Sequence, residues 1–201
     1  MDWQGDTEFI QKAEPITGLD ASIELVGTYL RLKGHIPLGR FGRLTDLINA
    51  ASGYVHVHDA QLLRVTGEPD GLVLPDIMVD QDEISFIAEM DTENRIGGAA
   101  TRSYDQVFAS PENRVARSYV MFTPGHIITG TVYLFGQTDL RGFVDASDPR
   151  FLAVTDATTR SLANRRVVNR YPFLTVNRTQ MIAASEVGRH DDTIDEALAE
   201  Q

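Results

Sequence analysis

The sequence predicts a mainly β protein: a β-rich α+β chain of two small bent-sheet or half-barrel modules in tandem, each with one short helix. Three observations predict it. First, Gly34-x-x-x-Leu38…Leu44…Asp59-Ala60…Pro75-x-Ile77-x-Val79 recurs as Gly130-x-x-x-Leu134…Leu140…Asp156-Ala157…Pro172-x-Leu174-x-Val176. The register is 96 residues up to the helix and 97 after one inserted residue near Ser147-Asp148-Pro149, and it still pairs Glu89 with Glu186. Second, apolar and polar residues alternate with period two through most of both copies. Third, each copy switches once to the i, i+3, i+4 spacing of a helix.

Residues 1–20 are polar with a few apolar positions (Phe9, Ile10, Ile16) and read as an N-terminal arm. The first repeat spans 21–90. Ser22 to Val26 alternates, turns at Gly27-Thr28 and continues from Tyr29 to Lys33, so a hairpin is expected whose second strand bends at Gly34. Leu44, Leu47 and Ile48 form one apolar helical stripe, and Gly53 follows it. A strand returns at Tyr54–His58 and finishes on Asp59-Ala60; residues 76–87 then read as strand, polar turn, strand. Residues 91–115, with Gly97-Gly98-Ala99-Ala100 and Ser110-Pro111, read as a linker. The second repeat, 116–186, repeats the plan: a hairpin turning at Thr123-Pro124-Gly125, a helix with Leu140, Phe143 and Val144, capped by Thr138 or Asp139, then a strand ending on Asp156-Ala157 and a closing hairpin. The tail, 187–201, is acidic.

Composition narrows the function classes. A content of 42% hydrophobic and 23% charged residues is that of a folded globular chain. Each repeat of roughly 70 residues lies near the lower limit for an independent core, so the halves are expected to lean on each other or on further subunits. With no cysteine, disulfide frameworks, thiolate metal sites and cysteine nucleophiles are excluded. The acidic start, Met1-Asp2-Trp3, lacks the features of a signal peptide, and no apolar run is long enough for a membrane helix, so a soluble cytoplasmic protein without a membrane partner is expected. The net charge of −11 opposes broad attraction to phosphate backbones. Its distribution is uneven: 21–90 carry 5 basic and 10 acidic residues (net −5), whereas 116–185 carry 8 arginines and 4 aspartates (net +4). Opposite signs favour packing of one repeat on the other or head-to-tail contact between chains.

Gly42-Arg43-Leu44-Thr45-Asp46-Leu47-Ile48-Asn49 followed by Tyr54-Val55-His56-Val57-His58-Asp59-Ala60 resembles an uncharacterised bacterial family that reads G-R-L-S-D-x-L-N and then a strand ending in D-A. That family implies no chemistry. The hairpin bent at glycine and the closing Val79-Asp80-Gln81-Asp82-Glu83-Ile84 turn are similar to Sm-like small β-barrels. That likeness implies ring assembly by pairing of edge strands, and many such barrels bind RNA. Here the helix follows the second strand instead of preceding the first.

Four groups could carry chemistry. His56 and His58 stand two apart on a strand, on one face, as metal sites require, with Glu24, Asp46 or His35 to complete the set; the second copy has Ala153 and Thr155 there. Asp59 and Asp156 occur in both copies without a nucleophile or second carboxylate, which fits a turn acceptor better than a general base. Gly39-Arg40-Phe41-Gly42-Arg43 precedes a helix but lacks phosphate-loop spacing. Arg160, Arg165, Arg166, Arg170 and Arg178 with Tyr171 form a basic patch that could grip nucleic acid, with Tyr171 stacking on a base, or meet the acidic first repeat. No catalytic residues, no resident metal and no cofactor are expected. The reading is a non-catalytic scaffold or assembly subunit acting through protein–protein contacts, as a homo-oligomer or with other subunits. RNA or single-stranded nucleic-acid binding is the first alternative, and a metal-dependent enzyme using His56 and His58 the second.

Overall fold

The bends and seams of this chain follow from where its glycines and left-handed residues fall. A computed structural model describes residues 20–64, 66–90, 114–135, 138–145 and 149–187; the expected arm, acidic tail and nearly all of the linker lie outside the described residues. The first half comprises β1 (Asp20–Gly27), β2 (Arg31–Pro37), α1 (Leu44–Ala50), β3 (Tyr54–Leu63), β4 (Pro69–Asp80), a 3-10 turn (Gln81–Glu83) and β5 (Ile84–Glu89). The second comprises β6 (Arg114–Phe122), β7 (His126–Phe135), α2 (Leu140–Asp145), β8 (Phe151–Ser161), β9 (Val168–Asn177), a 3-10 turn (Arg178–Gln180) and β10 (Ala183–Val187). The same order of elements thus occurs twice in a mainly β chain.

All ten strands join one antiparallel sheet in the order β10-β6-β7-β8-β9-β5-β1-β2-β3-β4. The expected closing hairpins do not form, because the 3-10 turns carry the chain across to a different neighbour: β4 pairs with β3 while β5 pairs with β1 and β9, and β9 pairs with β8 and β5 while β10 pairs with β6. Two further expectations change. The strands expected to finish on Asp59-Ala60 and Asp156-Ala157 run on to Leu63 and Ser161, and β4 begins at Pro69, so β3 and β4 form one long hairpin. Asp59 and Asp156 therefore sit inside strands, with φ of 49° and 50°. The reason is a bulge. Pairing of β2 with β3 shifts from His35↔His58 to Lys33↔Gln61, and that of β7 with β8 from Thr129↔Thr158 to Thr131↔Thr155, so β3 and β8 each hold one extra residue. Aspartate tolerates the left-handed conformation such a residue adopts.

Opposite each bulge the partner strand must come close, and only glycine permits it. A Cβ on Gly34 would lie 2.6 Å from Val57 Cγ1 and 2.7 Å from the His58 carbonyl oxygen; one on Gly130 would lie 2.5 Å from Val154 Cγ1 and 3.0 Å from the Thr155 carbonyl oxygen. The bend expected at these glycines is a close approach of backbones.

Two apolar cores result. One gathers Ile23, Leu25, Leu32, Ile36, Val57 and Ile87 beneath Leu44 and Ile48 of α1, and takes in Phe151 of the second half. The other gathers Met121, Ile128, Val154 and Leu174 around Phe143 of α2, and takes in Val26, Phe86 and Ala88 of the first half. Burying Leu44 and Ile48 contributes about 1.5–3 kcal/mol each. Asp139 Oδ1 accepts a hydrogen bond from the Gly142 amide at 2.7 Å at the start of α2, in line with the expected cap. Val144 is exposed, so α2 rests mainly on Phe143, whose ring stacks on Tyr119 at 4.4 Å.

Candidate functional site

The seam between halves is a strand pair. β5 and β9 pair through Phe86↔Val176, Ile87↔Thr175 and Ala88↔Leu174. Side chains fasten it beside the two 3-10 turns. Asn177, fully buried, donates from Nδ2 to the carbonyl oxygens of Gln81 (2.9 Å) and Ile84 (2.8 Å), while its Oδ1 accepts from the Thr179 amide at 3.0 Å. Thr45 and Thr175 join hydroxyls at 2.7 Å, and Asn49 of α1 brackets the Phe151 backbone, donating to its carbonyl at 2.9 Å and accepting from its amide at 2.8 Å. Arg150 forms an ion pair with Asp82 across the same junction.

Among the described residues, the two outer strands of the sheet, β4 and β10, keep one edge each without a strand neighbour. Each occupies a familiar place. The 3-10 turn after β4 is capped by Asp80, which accepts from the Asp82 amide as Asn177 accepts from that of Thr179 after β9. β4 is therefore to the first half what β9 is to the second, and β10 matches β5. Large apolar side chains stand exposed along these edges: Met78 (57%) on β4, and Ile182 (69%) just before β10.

Beside the seam, a cleft of about 470 Å³ is lined by residues that include Glu24, Arg31, Glu89, Arg170 and Tyr171. Charge is buried here in pairs: Arg31 meets Glu24 Oε1 at 2.5 Å, and the Tyr171 hydroxyl donates to Glu24 Oε2 at 3.5 Å from the other half. Burial, reinforced by the Glu24 carboxylate, pushes the Tyr171 hydroxyl up to about 12. Burial also pushes His126 down to about 4, helped by the Arg31 guanidinium and opposed by Glu24. The network ties the halves together with neutral His126 and Tyr171 at ordinary pH.

The expected basic patch does not stay in one place. Arg165 and Arg166 are exposed on the β8–β9 loop, Arg160 is half-buried at the end of β8, and Arg170 is exposed beside the cleft. Arg178 lies at the far end of β9, buried, 5.4 Å from the Phe143 ring centroid. Tyr171 is buried against Glu24, so its ring is not presented for stacking on a base. The inter-half ion pair with the acidic turn is made by Arg150, which sequence reasoning missed.

The histidine pair also finds a different third member. His56 Nε2 and His58 Nδ1 lie 3.0 Å and 2.6 Å from the same oxygen, Oδ1 of Asp76 on β4. Glu24 is committed to Arg31, and Asp46 is on α1. His35 is the pairing neighbour of His58 on β2, with Nδ1 3.4 Å from Ser22 Oγ. The missed signal is alternation beyond Asp59: a strand continued to Leu63 places Asp76 opposite His58. The Gly39–Arg43 segment enters α1 with Arg40 over the Phe41 ring at 5.2 Å.

Among the described residues no helix is long and apolar enough to cross a membrane. No protein-family model, curated protein or solved structure matches the chain.

Proposed function

We propose that the chain is a non-catalytic assembly subunit, built by tandem duplication, whose copies join head to tail through β4 of one and β10 of the next. One observation carries the reading: the seam inside the chain, β5 against β9, joins the two strands that correspond to β10 and β4. The molecule already makes the proposed contact once. Carrying the seam's register outward sets Val79, Met78 and Ile77 against Ala183, Ala184 and Ser185 of the next copy.

Three physical arguments support it. An edge strand leaves amides and carbonyls unpaired in one direction, and strand addition satisfies them. Pairing would also cover Met78 and Ile182. Finally, β4 belongs to the half of net −5 and β10 to the half that, with Glu186 counted, is net +3 over 116–186; the opposite signs of the halves favour encounter between copies and make association sensitive to salt. The contact is heterologous, so it yields a ring if the rotation closes and a filament if it does not. Ring formation would agree with the Sm-like likeness of the bent hairpin.

The outer joint is weaker than the seam. Where the seam uses Thr45, Asn49, Thr175 and Asn177, the corresponding outer positions hold Arg141, Asp145, Met78 and Asp80. Arg141 and Asp145 already pair with each other at 3.3 Å. Assembly is accordingly reversible and concentration-dependent. Light scattering across protein concentration at low and high salt tests it, with oligomers expected at low salt. Met78→Lys and Ser185→Lys, both exposed in the single chain and both placed in the joint, should return the protein to monomers. A monomer at every concentration and salt level refutes the proposal.

A further inference from the structure

We propose that His56, His58 and Asp76 form a binding site for one divalent first-row transition ion of the zinc type, with two imidazole nitrogens and one carboxylate oxygen as ligands and the remaining position open to water. The three ligand atoms lie within 4.8 Å of one another. Around a tetrahedral ion with bonds of about 2.05 Å, ligand atoms sit roughly 3.3 Å apart. The present separations from Asp76 Oδ1, 3.0 Å to His56 Nε2 and 2.6 Å to His58 Nδ1, would open by about 0.3 Å and about 0.7 Å, within reach of small side-chain rotations.

The fold holds these groups ready. His56 and His58 are two apart on β3, with Val55 and Val57 turned into the core between and before them, so both rings share the outer face. Asp76 is the direct pairing partner of His58 across the β3–β4 hairpin, which brings its carboxylate between the two rings. The rings lie 4.1 Å apart, centroid to centroid. With the side chains 44%, 39% and 59% exposed, an ion could enter from solvent without any opening of the fold.

Architecture alone does not call for these residues. Counted from the left-handed Asp59 and Asp156, the same strand positions in the second half are Ala153 and Thr155, and the pairing partner of Thr155 is Phe173. The corresponding hairpin is built there with no imidazole or carboxylate at the three matching positions. Two imidazoles with one carboxylate suit zinc and its first-row neighbours, and poorly suit magnesium or calcium. An ion so placed would tie the edge strand β4 to β3. The site uses those two strands only, so it stands whether or not copies of the chain assemble.

The second half also supplies the controls. His56→Ala and His58→Thr install the residues found at the matching positions of β8, so the variants retain a side-chain set this hairpin accepts; Asp76→Asn keeps the shape and removes the charge. Calorimetric titration of the full, tag-free chain with Zn²⁺ should give one ion per chain with micromolar or tighter affinity, and titration with Co²⁺ should give a visible absorption band of tetrahedral type. The double histidine variant should weaken Zn²⁺ binding by at least about a hundredfold and abolish the Co²⁺ band, while its far-ultraviolet circular dichroism without metal matches the parent. Asp76→Asn should weaken binding in the same direction. Absence of Zn²⁺ binding in the micromolar range overturns the proposal. So does binding that persists undiminished in the folded double variant, since the ion would then be held elsewhere.

Discussion

Asn177 is the residue whose replacement most directly tests how the two halves are joined. Its Nδ2 donates to two carbonyl oxygens of the other half, at 2.9 Å and 2.8 Å, in a place fully shut off from solvent. Asn177→Asp keeps the shape and deletes both donors. Two hydrogen bonds are lost, at about 1 kcal/mol each, and two buried carbonyls then face a carboxylate that burial and repulsion penalise further. The expected cost at neutral pH is about 3–5 kcal/mol. Acid should recover part of it, because a protonated carboxyl can donate to one of the two oxygens, leaving about 1–2 kcal/mol. Urea denaturation of variant and parent, each at neutral and acidic pH, gives the difference directly, and pH effects common to both cancel. A penalty below about 1 kcal/mol at neutral pH, or one that does not shrink on acidification, would refute the account of the seam. The reciprocal change, Asp80→Asn, places an amide at the outer position matching Asn177 and should strengthen association between chains in light scattering.

Two further outcomes follow from the same geometry. His126 is lowered from 6.5 to about 4, so between those values the unfolded chain takes up a proton that the folded chain refuses. Stability is therefore complete above 6.5, falls as pH drops towards about 4 and levels off below. The drop corresponds to at most about 3 kcal/mol, reduced by partial solvent exposure to on the order of 2 kcal/mol, and His126→Gln should flatten that part of the stability profile in urea melts. At the bends, Gly34→Ala and Gly130→Ala should each cost about 1–3 kcal/mol through the short contacts a Cβ would make with Val57 and Val154. Gly125→Ala, with nothing within 4 Å of the added carbon, should change the thermal midpoint little and serves as the control.

How much of this was legible in the chain differs from element to element. Alternation along β1, β2, β6 and β7, the helical stripe of Leu44 and Ile48, and the irregularity at Gly34 and Gly130 are legible, because each is a local pattern; that the glycines serve a close approach of backbones, not a bend, is decided by the strand opposite. The β3–β4 and β8–β9 hairpins were read too short. Asp59 and Asp156 look like strand terminators in sequence, yet a left-handed residue inside a strand makes a bulge and lets pairing continue. That single misreading hid Asp76, 20 residues from His56, from the histidine pair. Opposite net charge of the two halves was visible, but which arginine uses it was not: Arg150 meets Asp82 from 68 residues away, while Tyr171 turns inward to Glu24 over 147.

By itself the sequence determined a β-rich chain with one plan of strands, helix and turn written twice, because alternation, glycine punctuation and helical spacing act over a few residues and need no knowledge of distant neighbours. Only the tertiary structure decided that the two halves share one sheet, that β5 meets β9 at a seam closed by Asn177, and that a carboxylate of the edge strand stands between two imidazoles. Those outcomes depend on register and on which edges meet, and both are settled by packing between segments far apart along the chain.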